Sequence, residues 1–219
     1  MKKFLWRVIS FPYRISYGAA GLLSRKGIDA FIESNLPISP DRQILNVGCG
    51  GRVYRPASEV RVDVAVRSSV DVVADAHRLP FREETFPTCL LVEVLEHLSN
   101  PDEAVQEIHR VTAPGGKLIL TTRFIFPLHS VPHDYFRYTE FGLRHLLRNW
   151  TDVKLRAQHD WYSTFLVLFV RNFSEESPIA KVFFPVVVVI TYAFWLLRPI
   201  FSKIPLNYIT SGYFVVATK

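Results

Sequence analysis

The fold class predicted for this 219-residue chain is α/β, with a parallel sheet at its centre. Two observations carry the prediction. Short apolar runs end one after another in glycine-rich or acidic turns, and segments of helical period and helix-capping chemistry follow them. Residues 43–47 (Gln-Ile-Leu-Asn-Val) enter the Gly48-Cys49-Gly50-Gly51 turn as a first buried strand. A second strand covers 59–64 with Asp63 near its end, and a third covers 70–74 and leads into the Asp75–Phe81 loop. The fourth, 88–94, is almost wholly apolar until Glu93. Four buried strands in succession imply a parallel sheet covered by helices. Asn100, Pro101 and Glu103 then form an N-terminal capping arrangement, Ala104, Ile108 and Val111 make a core stripe, and Pro114-Gly115-Gly116 is read as the helix stop. A fifth strand is expected over 117–122, a helix from about 139 to 148, and strands six and seven over 153–158 and 213–218.

Composition limits the function classes. Apolar residues make up 49%, aromatic 14% and charged 21%, which excludes a disordered or collagen-like chain and is slightly greasier than an ordinary soluble domain. The net charge of +6 is unevenly placed: residues 1–26 hold six cations and no acid, 27–160 hold 15 basic against 18 acidic residues, and 161–219 hold five against two. A nucleic-acid binder would spread its cations over the working domain, so no nucleic-acid partner is expected. Here they flank the most apolar stretches, as membrane phosphates would favour. Cys49 and Cys89 lie in a strand or its turn and give no disulfide framework, which points to a reducing compartment.

The organisation expected is a basic amphipathic segment over 1–36, a catalytic core over 37–160, an apolar insert over 161–211, and a last core strand over 212–219. Arg7 and Pro12 interrupt the N-terminal apolar run, so it is not read as a cleavable signal. A helix over 3–14 would place Lys3, Arg7, Ser10 and Arg14 on one face, either lying on a membrane surface or packed under the domain. Residues 182–197 form an uncharged run of 16 residues between Lys181 and Arg198. As a helix it reaches about 24 Å, short of the ~30 Å hydrocarbon core. It is therefore read as a dipping or interfacial segment, against the alternatives of a helix buried on the sheet or in a dimer interface. The expected location is cytoplasmic, peripheral or monotopic on the inner face of the membrane.

A strand running into Gly48-x-Gly50 lets backbone approach a ligand closely, and Asp63 at the end of the next strand is placed to accept hydrogen bonds from ribose hydroxyls. The dinucleotide fingerprint would need a third glycine where this chain has Val53, which argues against NAD. Asp75 and Ala76 supply a carboxylate and a backbone amide for an adenine. That set fits S-adenosyl-L-methionine.

Ile44-Leu45-Asn46-Val47-Gly48-Cys49-Gly50, Asp63, Asp75-Ala76-x-x-Leu79-Pro80-Phe81, Val92-Glu93-Val94-Leu95-Glu96-His97-Leu98 and Arg110-Val111-x-x-Pro114-Gly115-Gly116 resemble, in order and spacing, the motifs of class I S-adenosylmethionine-dependent methyltransferases of the type 11 sort. The resemblance spans about 44–122. It implies a Rossmann-like seven-stranded, mostly parallel sheet with helices on both faces, an antiparallel last strand and an apolar insert between the last two strands. It also implies cofactor contacts from Asn46, Gly48, Gly50, Asp63, Asp75, Ala76 and Glu93, with His97 beside the pocket. The chain departs from the family at Asn46, usually Asp, at Arg52, usually glycine, and at Pro87, usually an acid. The 132–139 segment is similar to a subgroup that accompanies polysaccharide or lipid-glycan synthesis.

The loop after strand five opens at the sheet edge where ligands of such folds bind. His133 is the expected general base, because imidazole titrates near neutrality, with Asp134 or Tyr135 orienting it. Arg137 is expected to hold a phosphate or carboxylate of the acceptor, against the plainer reading that it pairs with Asp134. His129, His133 and Asp134 lack a dependable metal-ligand spacing, so no metal is expected. The reading is methyl transfer to an O or N atom of a small, lipid-linked or glycan-type acceptor at the membrane surface; the alternative is a catalytically idle binding or scaffold protein.

Overall fold

The computed structural model describes residues 25, 27–37, 43–54, 58–174, 178–204, 206 and 208–219. The expected amphipathic segment over 3–14 lies outside the described residues. The chain divides into two compact units. One comprises the described parts of Phe31–Phe124, Leu128–Arg156 and Gly212–Lys219; the other comprises the described parts of the chain up to Ala30, Ile125–Pro127 and Ala157–Ser211.

The first unit is built on a seven-stranded sheet. Its strands are β1 (Ile44–Val47), β2 (Glu59–Asp63), β3 (Val72–Val73), β4 (Phe86–Val92), β5 (Thr112–Arg123), β6 (Thr151–Ala157) and β7 (Gly212–Thr218), in the order β3-β2-β1-β4-β5-β7-β6. Pairs β1–β2, β1–β4, β2–β3 and β4–β5 are parallel. β7 runs antiparallel to β5, from Lys117 opposite Thr218 to Arg123 opposite Gly212. The expected Rossmann-like sheet with its antiparallel last strand is the observed one. Because β1 is buried along its whole length and central, it reads as a continuous apolar run rather than an alternating one.

A helix over 27–35, α1, precedes the sheet; Phe31 on it stacks on Phe214 of β7 with ring centroids 4.4 Å apart. Helix α2 (Pro101–Val111) begins as its capping residues predict: Asn100 accepts from the Glu103 N–H, and Pro101 stands where a free N–H is not needed. It buries Ala104, Val105, Ile108 and Val111 in the same core as Leu91, Leu118 and Leu120. Its outer face does a second job. The Glu107 carboxylate accepts from the Leu79 N–H at 2.8 Å, and the Arg110 guanidinium donates to the Phe81 carbonyl at 3.0 Å. The loop after β3 is thereby pinned to α2 by Arg110 and the Leu79–Phe81 stretch. Helix α3 (Glu140–Leu146), capped by the Thr139 hydroxyl, buries Leu143 and Leu146.

Two boundaries differ from expectation for identifiable reasons. β4 ends at Val92 because Glu93 adopts φ +57°, which takes it out of the ladder. Pro114-Gly115-Gly116 does not separate helix from strand: α2 ends at Val111 and β5 starts at once. Between the pairs Phe86–Thr112 and Thr88–Lys117, β4 advances two residues and β5 five, so three extra residues form a bulge. Gly115 takes φ +71° there, and a Cβ on Gly116 would lie 2.7 Å from the Ala113 carbonyl oxygen. Both cysteines are buried and free.

The second unit contains the insert between β6 and β7: α4 (Trp161–Ser174), α5 (Pro178–Trp195) and α6 (Arg198–Phe201). The Tyr162 hydroxyl donates to the Phe194 carbonyl at 2.8 Å, the Trp161 indole to that of Phe201 at 3.1 Å, and Arg198 pairs with Asp160 at 2.9 Å. On α5, Phe184, Val187, Val188 and Thr191 are buried, while Phe183, Val186, Val189 and Phe194 are exposed. Among the described residues no helix is long and apolar enough to cross a membrane.

Candidate active site

The carboxyl ends of β1, β2, β3 and β4 meet at one edge of the sheet, and each contributes to a single cleft of about 210 Å³. Beyond Val47 the chain turns at Gly48, whose φ of +67° is disfavoured for a residue with a side chain, and where a Cβ would stand 2.5 Å from Val94 Cγ2. The Gly48 and Cys49 N–H groups both donate to the Val62 carbonyl, at 2.8 and 3.1 Å, tying the turn to β2. Asp63 finishes that tie. One carboxylate oxygen accepts from the Gly50 N–H at 2.8 Å and the other from the Ala65 N–H at 2.9 Å.

Gly48, Asp63, Ala76, Glu93 and His97 line the cleft. Glu93 is held by its own backbone N–H, which donates to the Thr121 carbonyl at 2.9 Å, by the Thr121 hydroxyl on its Oε1 at 2.8 Å, and by a contact of its Oε2 with Arg123 Nε. Three of the residues expected here, Asn46, Gly50 and Asp75, are not among those lining it, Gly50 reaching it only through its N–H on Asp63. Asn46 is buried and gives its amide to Glu59 Oε1 at 2.6 Å, while Glu59 Oε2 accepts from the Tyr54 N–H at 2.7 Å; the pair supports the glycine turn from behind. The Asp75 carboxylate is on its own loop, accepting from the His77 N–H at 3.0 Å with the His77 ring 2.5 Å away, and these contacts hold its pKa below the usual carboxylate value. Its neighbour Ala76 lines the cleft.

The segment after β5 folds back over the single 3₁₀ turn Leu95–His97 that follows β4. The N–H groups of Tyr135 and Phe136 donate to the Glu96 carbonyl at 2.9 and 3.2 Å, the His97 ring meets the His133 carbonyl at 2.5 Å, and the Tyr138 hydroxyl donates to the Leu95 carbonyl at 3.1 Å. His133 and Tyr135, both named from the sequence, are together: His133 Nδ1 is 2.9 Å from the Tyr135 hydroxyl, and both residues face solvent. Arg137 grips Asp134 with both terminal nitrogens at 2.6 Å, so the fork expected to hold an acceptor's anion is occupied by this carboxylate. Asp134 also accepts from the His129 N–H at 2.8 Å, and its side chain is only 2% exposed. Burial alone would raise its pKa; the hydrogen bonds from Arg137 and His129 and their charges outweigh that and hold it at about 2.

Glu96 is the site residue that the sequence leaves anonymous. Its side chain is fully buried, with Oε2 accepting from the Thr122 hydroxyl at 2.8 Å. Burial, then the nearby Glu93 charge, pushes its pKa up to about 7. One signal was available: Thr121 and Thr122 are adjacent polar residues at the end of the apolar run Leu118-Ile119-Leu120, and both are fully buried, which demands partners for their hydroxyls.

Residues 45–120 match the family model described as a methyltransferase domain. Among curated proteins, the chain is 26% identical over 162 residues to a demethylmenaquinone methyltransferase of Paenarthrobacter aurescens, covering 67% of this chain and 62% of that protein. It is 28% identical to a ubiquinone biosynthesis O-methyltransferase of Alkalilimnicola ehrlichii, covering 55% and 53%. The chain thus spans about half to three fifths of the length of these relatives. Among solved structures, it resembles a protein of Thermotoga maritima described as an S-adenosylmethionine-dependent methyltransferase and possible histamine N-methyltransferase, with TM-score 0.57, 16% identity and coverage of 97% and 99%. The phosphoethanolamine N-methyltransferase 2 of Haemonchus contortus in complex with S-adenosyl-L-methionine gives a TM-score of 0.56 at 13% identity, covering 89% of this chain and 52% of that one. These two likenesses establish the fold.

The clamp on the 129–138 loop has a pH signature. The unfolded carboxyl of Asp134 titrates near 3.8 and the folded one at about 2. Between those values the unfolded state binds more protons, so stability is complete above about pH 4 and falls as pH drops through the window, by about 2 kcal/mol. Asp134→Asn is expected to remove that increment and lower stability at neutral pH by about 2 kcal/mol. Urea unfolding from pH 2 to 7, with and without the substitution, measures both.

Proposed function

We propose that this chain, a class I S-adenosylmethionine-dependent methyltransferase by its matched residues 45–120 and its sheet, moves the methyl group of that cofactor to an O or N atom of a small acceptor, one that is lipid-linked or glycan-derived. The observation that carries the proposal is the cleft in which Gly48, Asp63, Ala76 and Glu93 come together at the strand ends. Each Asp63 oxygen accepts one backbone N–H and keeps a lone pair for a ribose hydroxyl. Gly50 has open space where a Cβ would be, which leaves backbone room for the cofactor's tail. Ala76 offers its backbone N–H to the adenine, and Glu93, its charge balanced by Arg123, forms part of the cleft wall. When bound, the cofactor supplies an electrophilic methyl on a sulfonium. The chain's own task is then to align the acceptor and take its proton.

His133 is the proposed base. With its ring proton on Nδ1 directed to the Tyr135 oxygen, its Nε2 is left to accept a proton from an acceptor hydroxyl or amine. Tyr135 orients the ring. Asp134 and Arg137 hold the loop that carries both, through the bidentate pair and the His129 N–H. Arg137 thus enters the proposal as a positioning residue.

The lipid-linked acceptor is supported by the insert. Phe183, Val186, Val189, Phe194 and Leu196 expose a run of apolar surface on and just after α5, and Lys203 follows it as a headgroup-seeking cation, while Arg198 is paired with Asp160. Two of the curated relatives carry names from demethylmenaquinone methylation and ubiquinone biosynthesis. The occupant proposed for this apolar face is an anionic bilayer surface on the cytoplasmic side, with α5 lying in the interface.

Calorimetric titration with S-adenosyl-L-methionine is expected to show one site per chain, lost on Asp63→Ala. His133→Ala is expected to keep that affinity and to lower transfer of a labelled methyl to membrane-extract acceptors by about 100-fold or more. Binding without transfer to any extract acceptor is what a catalytically idle protein would give. In vesicle flotation the protein is expected to rise with phosphatidylglycerol-containing vesicles, less so as salt increases and not at all after Val186→Asp with Val189→Asp. Flotation unaffected by the two aspartates would remove the membrane face from the proposal.

A further inference from the structure

Glu96 and His97 are neighbours on the 3₁₀ turn after β4, and His129 is on the segment after β5, 32 positions on from His97. The fold brings one ligand-type atom from each within 4.8 Å of the others. Glu96 Oε1 faces His129 Nε2 at 3.9 Å, and the two imidazole rings meet edge to face with centroids 4.8 Å apart. The carboxylate is wholly buried, and while its Oε2 is satisfied by Thr122, its Oε1 is buried with no hydrogen-bond partner among the described residues. A buried carboxylate oxygen left in that state is costly unless something positive or protic occupies the space in front of it.

The outer contacts of both rings are those that prepare imidazoles as ligands. His97 Nδ1 lies 2.5 Å from the His133 carbonyl, so it carries the proton and leaves Nε2 with a free lone pair. His129 Nδ1 lies 3.4 Å from Asp134 Oδ2, with Nε2 turned toward Glu96. A carbonyl or carboxylate on the distal nitrogen fixes the tautomer and raises the basicity of the other one. Metal–ligand bonds of about 2.0–2.1 Å hold ligand atoms roughly 3–3.5 Å apart, so side-chain rotations of about an ångström complete the set.

We propose that Glu96, His97 and His129 bind a divalent transition metal ion of the zinc type, through one carboxylate oxygen and two imidazole nitrogens. The ligand set of two histidines and a carboxylate suits Zn²⁺, Co²⁺ or Fe²⁺ better than Mg²⁺ or Ca²⁺, which prefer all-oxygen sites. Three protein ligands leave at least one position for water or an acceptor oxygen. His97 also lines the cleft. The ion would join the turn after β4 to the loop that carries His133 and Tyr135. The set differs from His129, His133 and Asp134, the group weighed from the sequence: Asp134 serves as the outer partner of His129, and the buried carboxylate is the ligand.

The test uses the full chain stripped with EDTA and titrated with Co²⁺ in the absence of S-adenosylmethionine, so that it stands or falls apart from methyl transfer. One Co²⁺ per chain is expected, with visible d–d absorption that Zn²⁺ abolishes by displacement. Glu96→Gln and His129→Ala should each weaken Co²⁺ at least tenfold, while His145→Ala, at an exposed position on α3, should leave it unchanged. Should Glu96→Gln fail to fold by circular dichroism, His97→Ala at its part-exposed position carries the same comparison. A folded wild-type protein that takes up no Co²⁺, or variants that bind like wild type, would overturn the site.

Discussion

Everything at the candidate site depends on the parallel register of β1 between β2 and β4. Ile44–Val47 pair residue by residue with Glu59–Val62 on one side and with Thr88–Leu91 on the other. That register brings Gly48, Asp63 and Glu93 to the same edge, although 45 positions separate the first from the last. Parallel strands need covered faces, and one face is covered by the apolar stripe of α2 together with α3. The cleft is therefore a by-product of burying the sheet: the strands must end somewhere, and their carboxyl ends leave backbone N–H groups and acidic side chains without a strand partner. Asp63 takes up two of those N–H groups.

Much of this was legible in the chain. The run Ile44-Leu45-Asn46-Val47 entering a glycine turn, and Asn100-Pro101 opening a helix, each carry a local physical reason for their structure and each form where expected. The place of Asp63 and Glu93 at the cleft was legible because each stands where an apolar strand ends. What the sequence hid were contacts between distant residues with no common spacing. Nothing local says that Asn46 faces Glu59, that the Asp75 carboxylate turns to His77, or that Glu96 is sealed against Thr122. Pro114-Gly115-Gly116 looked like punctuation and is instead a bulge inside a strand, because three extra residues were accommodated without breaking the ladder.

The loop after β5 shows a division of labour that residue types alone do not decide. Of its polar residues, Asp134 and Arg137 are consumed by each other, while His133 and Tyr135 remain at the surface. A strongly held ion pair next to an exposed imidazole is how a fold fixes a mobile group without occupying it. The same loop is joined through His97, Glu96 and Leu95 to the turn after β4, so the loop and one wall of the cleft share one set of hydrogen bonds. The insert of α4–α6 is organised separately, by the Tyr162, Trp161 and Asp160 contacts within its own unit.

The central claim is that the strand-end cleft holds an adenosyl sulfonium cofactor. Amide chemical-shift mapping with S-adenosylhomocysteine tests it most directly, because the glycine turn and the ends of β2 and β3 report separately. Saturable shifts are expected at Gly48, Gly50, Val64 and Ala76, with the amides of β6 unmoved. Shifts elsewhere with those four unaffected, or no shifts at millimolar ligand, would contradict it.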